Sequence, residues 1–348
     1  MNYPPDISKV TNPTLRNLAE EYAESGIPTY VDDILQTVPS GLRGPLEYTF
    51  AEQLSKEKPL LITHTAAELG ASPERALGVA ACTDVLWSSS IMIDDIYDRD
   101  ETRAGQQPSA WAKFGKTRTM AASLVAITAT VAYVTRKYGP RQADIMTRDL
   151  RRGVTSISQA KHLSLDAPVE AYNDNYDMRA GFYSIFPIGA LRKHSQANPQ
   201  QISGAQRSLL HIHRSGQIIN DLRDFDQSGD RLRTAPFSDI RAGVSTIPIR
   251  HMWQSMGLSD KQRYEQIHGK RELTSDDLVF IGNLVIDTDL GQAMSSRIES
   301  LHNDARGEYI EAVNPSDETI QWLDALLGYM RETAQIVSTT LGNIVLTD

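Results

Sequence analysis

The stretch that decides the fold is Ile91-Met92-Ile93-Asp94-Asp95-Ile96-Tyr97-Asp98, near the end of a long apolar segment. Apolar residues recur at spacings of three and four around it, so we predict a helix over roughly residues 73–97. On a helix, Asp94 and Asp98 lie one turn apart on the same face. Because their like charges repel each other, we expect a cation to compensate them. Clustered carboxylate oxygens are the ligands that Mg²⁺ prefers.

A second acidic box occupies Gln217-Ile218-Ile219-Asn220-Asp221-Leu222-Arg223-Asp224. At helical spacing, an apolar stripe is formed by Ile218, Leu222 and Phe225, and a polar stripe by His213, Gln217, Asn220 and Asp224. Two such helices facing each other in a bundle would point oxygen ligands at a shared site.

The donor types in the two boxes indicate the metal and its ligand. The candidate metal ligands are Asp94, Asp95, Asp98, Asn220, Asp221 and Asp224. A redox di-metal centre of helical bundles would use Glu and Glu-x-x-His, whereas Mg²⁺ completes its shell with water and phosphate oxygens. We therefore predict a diphosphate ligand, with Arg103 as a forked donor to its oxygens. Arg231 and Arg233 follow the second box and are further candidates, although solvated loop charges would explain them equally well.

The rest of the chain favours an all-α protein. Apolar residues recur at helical spacing in almost every segment, and no clean period-two alternation bounded by hairpin turns is present. No linker, repeat or composition shift divides the chain, so we predict one large helical bundle over residues 1–348. Residues 1–40 would form an N-terminal helical extension, and residues 257–348 a set of C-terminal helices.

Composition excludes several classes of partner. Acidic residues outnumber basic ones by 44 to 35 among 348 residues, and the net charge of −9 disfavours general nucleic-acid binding. The single cysteine, Cys82, and the absence of a secretory leader pattern favour the cytoplasm. The longest uncharged stretch, Thr119 to Thr135, is too short and too rich in threonine for a membrane span.

Together, these motifs resemble the trans-isoprenyl diphosphate synthase family, also called polyprenyl synthetases. The resemblance runs from about Gly44 to Pro248, and the order of the motifs makes it specific. The first box and its trailing Glu101-Thr102-Arg103 look like the family's first aspartate-rich motif, and the second box looks like the second motif. The segment from Ser238 to Pro248 is similar to the one that follows it.

The resemblance implies a fold, a chemistry and a partner. The family's all-α bundle holds an allylic prenyl diphosphate between the two boxes with three Mg²⁺ ions, ionises it and lets a nucleophile attack the carbocation. Members of the family are dimers, so a homodimer is expected. Asp94, Asp98 and Asp221 would be catalytic, and Gln217 would contact the diphosphate. Arg179 stands where the family has a lysine, and it would be catalytic and would also contact the diphosphate.

Departures from the family affect the second substrate. The family binds isopentenyl diphosphate through a Gly-Lys-x-x-Arg element, a histidine and a second arginine after the first box. Here these positions read Leu54-Ser55-Lys56-Glu57-Lys58, Trp87 and Ala104, and only Lys58 keeps its charge. Because charge-assisted hydrogen bonds to the diphosphate would be missing, ordinary elongation with isopentenyl diphosphate is disfavoured.

The helix before the first box predicts a prenyl pocket. Ser90 and Trp87 lie one and two turns before Asp94 on the same face, with Ser89 alongside. In the family, bulky residues four or five places before the box shorten the product, so serines there imply a C15 or C20 chain. The aromatic residues Trp87, Phe182, Tyr183 and Phe186 are candidates to shield a carbocation, although core packing explains each of the last three more readily.

The sequence therefore predicts Mg²⁺-dependent ionisation of an allylic prenyl diphosphate, followed by transfer to an acceptor other than isopentenyl diphosphate, such as an aromatic compound. Three alternatives remain open. The enzyme could be a terpene synthase that cyclises its substrate, or an elongating prenyl diphosphate synthase. In the third, the chain is a non-catalytic regulatory partner of such a synthase.

Overall fold

The computed structural model describes residues 12–53, 56–103, 107–225 and 237–342. Within these ranges the regular structure is helical apart from one antiparallel pair of two-residue strands, β1 (Thr102–Arg103) and β2 (Gln107–Pro108). The predicted all-α class is confirmed. The small strand pair follows the first acidic box and was not expected from the sequence, because two residues are too few to show alternation.

The α-helices follow one another along the chain in this order: α1 Pro13–Glu24, α2 Ile27–Leu35, α3 Ser40–Glu52, α4 Glu57–Glu68, α5 Pro73–Asp98, α6 Ala110–Phe114, α7 Lys116–Tyr138, α8 Pro140–Ala160, α9 Val169–Ala180, α10 Phe186–Ala190, α11 Pro199–Arg223, α12 Ser238–Ala242, α13 Ile247–Ser255, α14 Leu258–Ile267, α15 Ser275–Asp287, α16 Leu290–Val313 and α17 Asp317–Gly342. A π-helical turn, Gly181–Ile185, joins α9 to α10, and a 3₁₀ turn, Leu191–Lys193, follows α10.

Helix α5 is the central helix of the first half. It begins at Pro73, whose fixed φ suits the first helical position, and ends where Arg99 adopts a left-handed conformation with φ of 65°. Its middle is buried on all sides, and it packs against α2, α4 and α7. A helix enclosed in this way is largely apolar around its circumference, and its acidic residues lie near its two ends apart from the buried Asp84.

Helix α11 carries the second box. Asn198 and Gln201 form a capping box that satisfies its first backbone donors. The helix then packs along its length against α16. Its N-terminal half belongs to one hydrophobic cluster, which includes α5, and its C-terminal half to a second cluster, which includes α13, α15 and α16. The apolar residues of the second acidic box therefore belong to the second cluster.

The π-helical turn lies between the two box-bearing helices and packs against both. Phe186 N donates to Gly181 O, which gives the i→i+5 pattern of a π turn. Close approach to α8 depends on glycine, because a Cβ at Gly153 would come within 3.1 Å of the Phe182 ring. The turn is thus held against α8, and its aromatic residues point into the interior.

One buried ion pair lies near the start of α4. Lys56 Nζ lies 3.1 Å from Asp84 Oδ1, and neither side chain is exposed to solvent. The Tyr22 hydroxyl donates to the other Asp84 oxygen, and the lysine ammonium also lies over the Tyr22 ring. Because a buried charge is tolerated only when it is paired and hydrogen-bonded, this lysine is fixed in the core and is withheld from any ligand.

Two helices, α5 and α7, are long and apolar enough by composition to cross a membrane. In the protein, 78% of the apolar window of α5 is buried, as in the core helix of a globular domain, and 44% of that of α7. Two such helices do not establish a membrane span.

Candidate active site

The first acidic box lies on the last two turns of α5. Asp94 and Asp98 are both exposed, whereas Asp95 between them is buried. The Asp98 side chain reaches the surface, but its carboxyl group is largely surrounded by protein. This desolvation, together with repulsion from Asp94 and Asp100, raises the pKa of Asp98 to about 7. Lys161 and Arg179 act in the opposite direction. The box is a place where negative charge is in excess, as the sequence predicts.

Arg103 and Asp95 form a forked ion pair. Arg103 Nε donates to Asp95 Oδ2 at 2.8 Å, and its Nη2 donates to Asp95 Oδ1 at 2.7 Å. This bidentate geometry fixes the strand pair against the end of α5. Both residues were predicted to face the metal and the diphosphate, and that role stays a prediction. In the structure Arg103 and Asp95 bind each other.

Asp221 is the most enclosed carboxylate of the second box. It is 4% exposed, and it accepts hydrogen bonds from the Tyr176 hydroxyl and from Gln217 Nε2, the latter at 2.7 Å. Burial nevertheless raises its pKa to about 6, while these two donors and the charge of Arg179 oppose the shift. Gln217 therefore orients Asp221, in addition to its predicted contact with the diphosphate.

Asp224 is hydrogen-bonded to the first residues of α12. Its Oδ1 accepts hydrogen bonds from Ser238 N at 2.7 Å and from Ser238 Oγ, and its Oδ2 accepts from Asp239 N at 3.0 Å. It thus caps the start of α12 and ties that helix to the end of α11. Its predicted role as a metal ligand stays a prediction. Asn220, one turn before Asp224, is exposed.

Asp239 is a site residue that the sequence analysis did not single out. Burial raises its pKa well above the ordinary value, and repulsion from Asp224, Asp221 and Asp98 raises it further. Its carboxylate therefore lies in the field of both boxes. The available signal was its position on the first turn of a short helix directly after the second motif, which alone resembles an ordinary helix start.

Arg179 is the cation common to these groups. It lies at the end of α9, and its positive charge opposes the raised pKa values of Asp98, Asp221 and Asp239. Its Nε is buried and has no hydrogen-bond partner among the described residues. A buried donor without a partner is costly, so this atom suits an anionic ligand that the protein alone does not provide.

The donor set fits Mg²⁺ as a shared ion. Among the described residues, no three His, Cys, Asp or Glu side chains are grouped so that they could hold a metal ion by themselves. Mg²⁺ is usually bound by one or two carboxylates together with water and substrate phosphates. The oxygen-only ligands of the two boxes and the raised pKa values of Asp98 and Asp221 therefore suit Mg²⁺ ions whose coordination a diphosphate would complete.

The predicted second-substrate positions are occupied differently. Lys58 Nζ lies 3.9 Å from the centre of the Trp87 ring and donates to Glu57 Oε1 at 3.0 Å. The remaining positions named from the resemblance, Leu54, Ser55 and Ala104, lie outside the described residues. So do Arg231 and Arg233.

Three of the predicted pocket residues, Trp87, Tyr183 and Phe182, contact one another, and the pocket itself stays a prediction. The Trp87 ring meets the Tyr183 ring edge to face at 5.0 Å, and Tyr183 meets Phe182 at 4.7 Å. Ser90 is half-buried and donates to Trp87 O, while Ser89 is fully buried. Phe182, Tyr183 and Phe186 are all buried in the first hydrophobic cluster.

His213 was noted in the sequence only as part of a polar stripe. It is buried, and its ring meets the Tyr183 hydroxyl. Because Tyr183 lies in the π turn and His213 on α11, spacing along either helix gives no sign of this contact. The tertiary arrangement alone brings the two residues together.

The chain matches the polyprenyl synthetase family over residues 39–284. It is 23% identical over 272 residues to the geranylgeranyl diphosphate synthase of Sulfolobus acidocaldarius, covering 73% of this chain and 81% of that protein. It is 20% identical over 276 residues to a short chain isoprenyl diphosphate synthase of Methanocaldococcus jannaschii, covering 75% and 84%.

Solved structures show the same fold. The polyprenyl synthase of Caulobacter crescentus CB15, complexed with calcium and isoprenyl diphosphate, superposes with a TM-score of 0.78 at 16% identity, covering 95% of this chain and 99% of that one. The geranylgeranyl pyrophosphate synthetase of Pyrococcus horikoshii gives a TM-score of 0.75 at 18% identity, with coverage of 92% and 98%. The resemblance drawn from the motifs is confirmed, and so is the prediction of a prenyl-transferring enzyme at the level of the family.

Proposed function

Because the chain belongs to the polyprenyl synthetase family, we propose that it ionises an allylic prenyl diphosphate with Mg²⁺ and passes the carbocation to an acceptor other than isopentenyl diphosphate. The observation that carries this proposal is the contact between Lys58 and Trp87. It concerns the part of the site around Lys58 and Trp87, which we call the acceptor side. There the chain departs from its family.

The allylic side, which comprises the two acidic boxes and Arg179, would retain the groups that ionisation of the substrate needs. Carboxylates from α5 and α11 and the unpartnered Nε of Arg179 face the same region. Bound Mg²⁺ would stabilise the negative charge that develops on the leaving diphosphate. Arg179 would donate to the diphosphate oxygens, and Gln217 would hold Asp221 in position through the hydrogen bond of 2.7 Å.

The acceptor side lacks the charge that a second diphosphate requires. Lys58 is shared between the Trp87 ring and Glu57, and the neighbouring Lys56 is held in the core by Asp84. Each missing charge-assisted hydrogen bond to a diphosphate removes about 1.5–3 kcal/mol of binding free energy. An uncharged or aromatic acceptor would instead gain from stacking near Trp87.

A second candidate function is cyclisation of the allylic substrate. The aromatic wall of Trp87, Tyr183 and Phe182 supports it, because ring faces stabilise nearby cations. In that case the double bonds of the prenyl tail would attack the cation. With serines at positions 89 and 90, the prenyl tail that this site accepts would have C15 or C20 length.

The test is product analysis of the purified protein with Mg²⁺ and geranyl, farnesyl or geranylgeranyl diphosphate, each alone and then with isopentenyl diphosphate. We expect diphosphate release that does not require isopentenyl diphosphate. A cyclic product from one substrate alone would favour the second candidate. Longer prenyl diphosphates formed only with isopentenyl diphosphate would overturn the proposed acceptor and leave an elongating synthase. No diphosphate release in any mixture would favour a regulatory subunit.

A variant sharpens the test of the acceptor side. Changing Trp87 to His and Lys58 to Arg together restores two residue types found at these positions in the family, so we expect the double variant to gain elongation with isopentenyl diphosphate. Trp322→His is the matched control, because Trp322 lies on α17 against His64 and away from the boxes. Equal elongation by the control and the double variant would contradict the role given to Trp87.

A further inference from the structure

A buried tyrosine and histidine face each other between the two box-bearing helices. The Tyr183 hydroxyl lies 2.7 Å from His213 Nδ1 and 3.2 Å from His213 Nε2. Tyr183 is 4% exposed and His213 is 8% exposed. The pair is not used by the chemistry described above, and the Tyr183 ring touches Trp87 on its other side.

The charges of residues from both sides of the site act on this pair. Burial, together with the positive charges of Lys58 and Arg179, lowers the pKa of His213 to about 3. Burial raises the pKa of Tyr183, and the charges of Arg179 and Asp94 act on it as well. The pair therefore lies within the fields of the allylic side and the acceptor side, and both residues are neutral at ordinary pH.

A neutral imidazole has one nitrogen that donates and one that accepts a hydrogen bond. The backbone of Tyr176 also hydrogen-bonds to the His213 ring, and such a bond selects the tautomer. When the ring donates to that backbone, its other nitrogen accepts the proton of the Tyr183 hydroxyl. Tyr176 in turn donates from its own hydroxyl to Asp221, so one residue holds both the second box and the histidine.

We infer that Tyr183 and His213 remove the proton that the carbocation loses when it collapses to product. The inference rests on the proposed function, because it requires ionisation of an allylic diphosphate. Tyr183 would be the catalytic residue that meets the cation, and His213 would act behind it as a positioning residue and final proton acceptor.

A C–H bond next to the cationic carbon breaks, and its electron pair forms the new C=C bond. The proton goes to the Tyr183 hydroxyl oxygen, whose own proton moves to His213, giving an imidazolium. The low pKa of His213 then favours transfer of this proton to the released diphosphate, which restores the neutral pair.

Two features suit the pair to this step. Neither residue carries a negative charge, so neither would combine with the cation as a carboxylate could. The burial of both side chains excludes water from this part of the site, which disfavours capture of the cation as an alcohol. The expected product is therefore one that has lost a proton, such as an olefin or a prenylated aromatic ring.

The test compares wild-type protein with Tyr183→Phe and His213→Phe, using Mg²⁺ and the allylic diphosphate that the wild type consumes. Tyr183→Phe removes a single oxygen and keeps the ring contacts with Trp87 and Phe182. We expect the ratio of proton-loss product to water-captured alcohol, measured for the diphosphate that each variant releases, to fall by about tenfold or more in both variants. His211→Phe is the matched control, since His211 lies on α11 near Glu308 and should leave the ratio unchanged.

The readouts separate the inference from the function on which it rests. Diphosphate release by the wild type together with an unchanged product ratio in Tyr183→Phe would overturn the inference. A wild-type product that has lost no proton would overturn it as well. Absence of diphosphate release by the wild type would instead refute the proposed function. Because Tyr183→Phe is a minimal change, misfolding of His213→Phe would not prevent the decision.

Discussion

The acidic box on α5 and the acidic box on α11 contain similar residues in different surroundings. On α5, Asp94 and Asp98 are exposed. On α11, Asp221 is buried and accepts hydrogen bonds from Tyr176 and Gln217. Asp94 and Asp98 thus lie at the surface, whereas Asp221 is built into the protein.

This difference separates two tasks. Carboxylates held by hydrogen bonds keep their geometry before any ion arrives, which reduces the reorganisation required during the reaction. Exposed carboxylates repel one another until a cation binds between them. We therefore expect the box on α5 to govern metal uptake and the box on α11 to govern the position of the bound diphosphate.

The largest expected effect follows from removing the exposed pair. Replacing Asp94 and Asp98 together by Ala should lower Mg²⁺-dependent diphosphate release by at least about 10³-fold, because metal stabilisation of the leaving group amounts to several kcal/mol. A diphosphate-release assay measures this, with Asp144→Asn on the exposed side of α8 as the control. Unchanged turnover in the double variant would contradict the assignment of this box to the metal.

Metal binding should depend on pH through carboxyl groups of both boxes. Because the pKa of Asp98 is about 7 and that of Asp221 is about 6, Mg²⁺ must displace protons below neutral pH. A carboxyl group with a raised folded-state pKa stabilises the folded protein at low pH, and this contribution is lost as pH rises from about 4 to about 7. We therefore expect Mg²⁺ to raise the melting temperature more at pH 8 than at pH 6. Thermal unfolding of wild type and Asp98→Asn with and without Mg²⁺ checks this, and an equal shift at both pH values would argue against it.

Stability should respond in opposite ways to changes in the two boxes. Asp224→Ala removes the acceptor for Ser238 N, Ser238 Oγ and Asp239 N, so we expect a loss of about 1–2 kcal/mol in the free energy of unfolding. Asp98→Asn removes a charge that Asp94 and Asp100 repel, so at pH 8 without metal it should leave this free energy unchanged or higher. Chemical denaturation measures both, and a destabilising Asp98→Asn would break the comparison.

The smallest expected effect comes from a substitution in the predicted prenyl pocket, at Ser90 one turn before Asp94. Ser90→Phe should narrow the pocket and reduce use of the longer prenyl diphosphate relative to the shorter one by about tenfold or more. Competition between two substrates in one reaction gives the ratio directly. Leu124→Phe, on the exposed face of α7, is the control, and an unaltered ratio would remove Ser90 from the pocket.

The sequence was sufficient where function depends on spacing within one helix. The bounds of α5, the register of Asp94 and Asp98, and the family all follow from local patterns. The cap that Asp224 forms for α12, the approach of Asp239 to both boxes, and the contact of Tyr183 with His213 join different segments. Packing between helices sets these contacts, and no periodicity along the chain encodes them.

The π-helical turn at Gly181–Ile185 has one more consequence. Each residue of an α-helix rotates the chain by about 100°, so a turn that closes over five residues acts as a one-residue insertion that changes the angular register of everything after it. Deleting a single residue there would restore an ordinary α-helical turn and swing Phe186 and α10 around the helix axis relative to Arg179. The length of this one turn therefore sets the angular position of Phe186 and α10 relative to Arg179.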